Sequence, residues 1–215
     1  MIKRIASVFM LLFVLPVIRS NAHPKAMIGI TGGINISSIV SKPQGLLIIS
    51  DKTFFGAGPV GEYRFNKNVS MTLGLLVLGK GSKFRIQGQD DLEAAMNLEV
   101  LDIPLSAGYT FDTPVIKPYV HAGLFLEYNL KASLRYQRPG SSFTDNIDDE
   151  IRDFSSGCTV SGGFKTTTGR FVLFVEAGYF RGFGNLYVKK SGPDYSVSTT
   201  GVQVFSGFKY SLGER

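Results

Sequence analysis

Between Val120 and Tyr136 every second side chain is apolar. Val120, Ala122, Leu124, Leu126, Tyr128, Leu130, Ala132, Leu134 and Tyr136 occupy the even positions. His121, Gly123, Phe125, Glu127, Asn129, Lys131, Ser133 and Arg135 occupy the odd ones. A strand turns successive side chains to opposite faces, so this segment predicts a strand with one apolar face and one polar, charged face. It is longer than the usual globular strand of about 5–6 residues. It is long enough for a tilted strand across a bilayer, which takes roughly 9–11 residues. Apolar outside and polar inside is the pattern of a membrane barrel, whereas a soluble barrel usually reverses the sense. Parity alone does not choose between them, so the rest of the chain must.

The same alternation predicts eight strands, near Met27–Ser37, Phe54–Phe65, Val69–Phe84, Met96–Phe111, Lys117–Tyr136, Phe154–Thr167, Arg170–Phe183 and Ser198–Leu212. Asn66-Lys67-Asn68, Asp112-Thr113-Pro114 and Thr168-Gly169 mark short turns. Longer polar loops fall near residues 38–53, 86–95, 137–153 and 184–197. Short turns at one end and long loops at the other is the layout of an outer-membrane barrel, with the short side in the periplasm. Aromatics gather towards both ends of the strands. Tyr63, Phe65, Tyr109, Phe111, Phe164, Phe171 and Tyr210 lie at the short-turn end, and Tyr128, Tyr136, Phe154, Tyr179 and Phe183 at the long-loop end. By parity all face outward, as two interfacial girdles would. The expected fold is therefore all-β, an eight-stranded antiparallel up-and-down transmembrane β-barrel, with both termini in the periplasm.

The first 22 residues read as a secretory signal peptide, and 23–215 as one barrel domain. Lys3 and Arg4 open the leader, an apolar run covers Ile5 to Ile18, and Ser20-Asn21-Ala22 offers a small-residue cut before His23. Loss of the leader leaves 20 basic and 17 acidic residues, a net charge of +3 rather than +6. That balance is too weak to argue for a nucleic-acid partner. The single cysteine, Cys158, excludes an internal disulfide framework, and its parity puts it on the apolar face.

Parity turns Glu62, Arg64, Asp102, His121, Glu127, Lys131, Arg135, Lys165, Glu176 and Lys209 inward. Charges of both signs taken out of water require partners, so a network of ion pairs and hydrogen bonds is expected. Eight strands enclose just enough space for side chains to fill. A polar, plugged core is the expectation, and a narrow pore lined by these groups is the alternative. No catalytic, cofactor or metal site is expected. His23 sits at the cleavage point and His121 has no obvious nucleophile beside it. Asp145, Asp148, Asp149, Glu150 and Asp153 lack the order of a calcium loop and read as a solvated acidic loop.

Four segments carry a family resemblance. They are Ile28-Gly29-Ile30-Thr31-Gly32-Gly33-Ile34-Asn35, Leu98-Glu99-Val100-Leu101-Asp102-Ile103-Pro104-Leu105, Lys117-Pro118-Tyr119-Val120-His121-Ala122-Gly123 and Arg181-Gly182-Phe183-Gly184-Asn185-Leu186. Together they resemble the outer membrane protein β-barrel domain family of PorT-like small barrels, over nearly all of the mature chain. The resemblance implies a small barrel in the outer membrane of Bacteroidota-type bacteria. Most members of the family have no assigned activity, a few are linked to protein secretion, and there are no catalytic residues to carry over. Many such barrels end on an aromatic residue that the assembly machinery reads. Here Tyr210 is followed by Ser211-Leu212-Gly213-Glu214-Arg215, so the aromatic is displaced inward.

The expected role is structural or interactive, with the long loops facing the cell exterior. A narrow pore or a transport or secretion accessory is the alternative, and a soluble barrel holding an apolar ligand is the third reading. The expected partners are outer-membrane lipid and lipopolysaccharide, the barrel assembly machinery, and proteins met through the loops.

Overall fold

The computed structural model describes residues 26–42, 47–86, 89–138, 141–184, 186 and 196–212. The leader expected at 1–22 and most of the loop near 184–197 lie outside them. The strands are β1 (Ala26–Lys42), β2 (Leu47–Arg64), β3 (Val69–Gly74), β4 (Leu76–Ile86), β5 (Gln89–Thr110) and β6 (Lys117–Arg138). They continue as β7 (Ser141–Asn146), β8 (Phe154–Thr168), β9 (Phe171–Phe183) and β10 (Ser196–Ser211), with one 3-10 turn at Asp148–Glu150.

These strands build a ring of eight staves. β3 and β4 are two halves of one stave, since both pair with β2 and β5 and the register is the same on either side of Leu75. The interruption has a local cause. Leu75 donates its N–H to the Pro59 carbonyl at 3.0 Å. Pro59 and Pro104, on the two flanking strands, have no N–H to return to the ladder. Every neighbouring pair is antiparallel, and β1 closes the ring on β10 from Met27↔Ser211 to Lys42↔Ser196. The sheet is thus an up-and-down, eight-stave barrel, as the alternation predicts. β7 lies outside the ring and pairs with the upper part of β6.

The short turns fall where expected. In the first, the Asn66 side-chain oxygen accepts from the backbone N–H of Asn68 and Val69, both at 2.8 Å. In the third, Gly169 takes φ 62°, a left-handed conformation that glycine adopts without steric cost.

Two of the four expected long loops, near 38–53 and 86–95, are mostly sheet, and the one near 137–153 is so for about half its length. β5 and β6 each run for 22 residues, about twice what a tilted bilayer crossing takes. The upper parts of β2, β4, β5 and β6, with β7, form a sheet that continues past the membrane band. The strands outrun their expected ends because the outward side chains there turn polar, a pattern that reads as loop in sequence.

The outer wall is apolar and uncovered. Ile28, Ile30, Met71, Leu73, Leu105, Leu124, Leu126, Val160, Leu173, Val175, Val202 and Phe208 are all exposed. The aromatics of both girdles are exposed too, except for the half-buried Tyr210. Rings two residues apart or on neighbouring strands meet edge to face, Tyr63 with Phe65 and Tyr109 with Phe111 at 5.2 Å between centroids, and Phe171 with Tyr210 at 5.4 Å. On β5 the outward series Tyr109, Ala107, Leu105, Ile103, Leu101 ends at Glu99, and on β9 the series from Phe171 ends at Arg181. Both intervals span ten positions, about the 25 Å apolar height of an outer-membrane barrel at a tilt near 45°. Leu124, 61% exposed in the middle of this band, is therefore a direct test of lipid contact. Leu124→Arg is expected to lower folding stability in lipid vesicles by about 2–4 kcal/mol. A change near zero would mean that this face meets water.

One irregularity reverses part of the sequence reading. Glu99 pairs with Lys131, but Val100 pairs with Asn129, so Leu130 is an extra residue and the alternation of β6 changes phase there. Below it the even residues face out, as expected. Above it Ala132 is buried, while Lys131 and Arg135 are exposed and share the outward face of Glu99 and Ala95. The expectation that Lys131 and Arg135 point inward is therefore corrected. Tyr136 changes face as well and leaves the upper girdle.

Candidate functional site: a filled barrel interior

The staves bring the inward charges to two levels. Near the short-turn end stands Glu62, whose side chain has 0% exposure. One of its oxygens accepts from Lys165 Nζ at 3.2 Å and from Arg64 Nε at 3.1 Å. The other accepts from Lys209 Nζ at 2.7 Å. These residues come from β2, β8 and β10, so the cluster ties three parts of the ring together. Beside it His121 Nδ1 lies 2.9 Å from Glu176 Oε2. Tyr119 packs on the imidazole at 4.8 Å and takes the Lys165 ammonium over its ring at 5.1 Å.

Higher in the barrel Lys80 pairs with Glu127. Ser155 donates to the other Glu127 oxygen at 2.8 Å. The Lys80 ammonium also sits over the rings of Phe125 and Phe180, 4.5 and 4.0 Å from their centroids. Asp102 stands directly across the strand from Glu127. Lys80 therefore neutralises a site where two carboxylates would otherwise face each other.

Between the two levels lies a cavity of about 80 Å³. All eight staves contribute to its wall. Three buried polar atoms on that wall, Thr72 Oγ1, Asp102 Oδ1 and His121 Nε2, have no protein partner among the described residues. A space of this size has room for several waters, and these three atoms are the groups that such waters would bond. Around and above Lys80 the interior turns apolar. Ile39, Leu78, Met96, Leu98, Val100 and Ala132 pack with Ile147, Ile151, Leu186 and Val197. Ile147 and Ile151 flank the 3-10 turn, so the segment after β7 folds inward over the mouth.

Eight of the ten expected inward residues thus lie inside: Glu62, Arg64, Asp102, His121, Glu127, Lys165, Glu176 and Lys209. Lys131 and Arg135 do not. The sequence reading missed Lys80, a principal cation of the interior. Its parity matches Ser70 and Thr72, which face in, but Leu76 and Leu78 between them look like a lipid-facing run. The geometry buries fixed charges and pairs most of them. Among the described residues no group of three or more His, Cys, Asp and Glu side chains is placed to hold a metal.

Residues 21–188 match the family described as the Outer membrane protein beta-barrel domain. The chain belongs to that family. This outer-membrane barrel is also similar in fold to OprG of Pseudomonas aeruginosa, at 14% identity over 90% of this chain and 99% of that one, with a TM-score of 0.53. Looser similarity extends to Neisserial surface protein A, at 16% identity over 86% and 97% of the two chains and a TM-score of 0.46. Ail of Yersinia pestis follows at 13% identity over 86% and 99%, with a TM-score of 0.39. Comparison with curated proteins found no significant match. As a member of this family the chain is a small barrel of the bacterial outer membrane.

Proposed function

We propose that this barrel is a non-conducting scaffold that works through its outer end, as a structural or interaction protein. The observation that carries the reading is the filled interior: an ionic layer around Glu62, a second around Lys80, and an apolar lid above. With the lumen filled, the surface left for function is the sheet that outruns the membrane. There β7 offers six consecutive exposed residues and is paired on one side only among the described residues. An unpaired strand edge is a template for an extended partner segment. The partners proposed are outer-membrane lipid and lipopolysaccharide, the assembly machinery during insertion, and proteins met at the outer end. The narrower PorT-like assignment, with its link to secretion, rests on the four sequence segments quoted above.

A narrow pore or transport accessory is the second reading, favoured by the cavity between the two ionic layers. Conductance separates the two. Refolded protein in a planar bilayer is expected to stay silent, with the fold verified by its heat-dependent gel shift. Steady conductance that changes in Glu127→Ala would make the pore the function.

A further inference from the structure

The phase change at Leu130 has a chemical consequence on the outer wall. Lys83, Ala95 and Arg135 form one cross-strand row over β4, β5 and β6, on the outward face. Lys52 of β2 reaches the same patch, where its ammonium donates to Asn97 Oδ1. Gly81, the residue of β4 opposite Asn97, has no side chain, and the Lys52 ammonium lies over the Phe54 ring, 5.1 Å from its centroid. Partial burial, then Lys83 and Arg135, hold the Lys52 ammonium below the ordinary lysine range. Among the described residues no carboxylate pairs with Lys52, Lys83 or Arg135. Glu93, two residues from Ala95 on the same face of β5, is taken by Arg85. Three cations held together, with no carboxylate paired to them among the described residues, repel one another until an anion arrives.

The height of the patch identifies that anion. Arg135 lies four positions above Lys131, where the apolar band ends. Four residues of a tilted strand rise roughly 9 Å. The polar layer of one leaflet is about 5–8 Å thick, and Lys and Arg side chains bend towards it from just outside. We infer that Lys52, Lys83 and Arg135 form a site for the phosphate of an outer-leaflet glycolipid, whose acyl chains lie on the apolar wall beneath. A lipid-borne phosphate fits better than a free one, because the cationic row stands directly above that wall. The assignment rests on the long-strand end facing the outer leaflet but not on the closed lumen, so a conducting barrel would leave it intact.

The test is binding to the folded protein in detergent micelles, read by intrinsic fluorescence and by the heat-dependent gel shift. The probes are phosphorylated lipid A, the same lipid stripped of phosphate, and inorganic pyrophosphate. Lys52→Gln/Lys83→Gln/Arg135→Gln is expected to bind phosphorylated lipid A at least roughly tenfold more weakly, the loss from removing a single charge-assisted contact. Lys117→Gln, at the opposite end, is expected to bind as wild type. Arg135→Gln alone serves if the triple variant does not fold, with a reduction of roughly threefold or more expected. Phosphate-free lipid should bind wild type no better than phosphorylated lipid binds the triple variant. Equal affinity of wild type and variants, or equal affinity for the two lipids, would overturn the site. Pyrophosphate binding as tightly as the lipid would overturn the lipid assignment and leave an anion site.

Discussion

Glu62→Ala is expected to destabilise the folded barrel by about 3–5 kcal/mol, the cost of leaving buried charges without their partner. Glu62 is the common acceptor of Arg64, Lys165 and Lys209. Lys165 and Lys209 are buried and cannot turn to bulk water; Arg64, about a quarter exposed, relaxes more easily. Removal of the carboxylate therefore leaves two ammonium groups facing each other in a low-dielectric interior. Urea unfolding in lipid vesicles, followed by tryptophan-free tyrosine fluorescence or by gel shift, reads the effect. Replacing the whole cluster by Glu62→Leu/Lys165→Met/Lys209→Met should recover most of the loss, because an apolar set of similar volume needs no counter-charge. A Glu62→Ala change below about 1 kcal/mol would mean that water solvates this layer as well as the carboxylate does.

The second large effect is asymmetric. Lys80→Ala is expected to cost about 3–5 kcal/mol, and Glu127→Ala less, about 1–3 kcal/mol. The reason is the neighbouring acid. Without Lys80, Asp102 and Glu127 stand opposite each other on β5 and β6 with no cation between them. Without Glu127, Lys80 remains within electrostatic reach of Asp102 and keeps its seat over Phe125 and Phe180. Equal costs for the two variants would show that Asp102 does not share the cation. Lys80→Met with Glu127→Leu should be milder than Lys80→Ala alone only if Asp102 is also neutralised, so Asp102→Asn completes the set.

Residue by residue, the legibility of this chain divides at identifiable points. The inward series of Glu62, Asp102, His121, Glu127, Lys165 and Lys209 was readable because an unbroken strand repeats every two residues, and a single apolar neighbour sets the phase. Lys131 and Arg135 were misplaced because an extra residue at Leu130 shifts that phase and leaves no mark in composition. Lys80 went unnoticed for the opposite reason. Its phase was unbroken, but Leu76 and Leu78 on the same face made an inward stretch look lipid-facing.

The sequence by itself determined the all-β class, the eight staves, the lipid-facing sense of the apolar side and the aromatic girdles. Each of these follows from local alternation and turn chemistry, which need no knowledge of partners. Only the tertiary structure decided which acid meets which base, that two of the expected long loops are mostly sheet, and that Arg135 joins Lys83 and Lys52 outside. Those outcomes depend on strand register and on the ring closing between β1 and β10. Register is a property of pairs of strands, so no single strand's sequence states it.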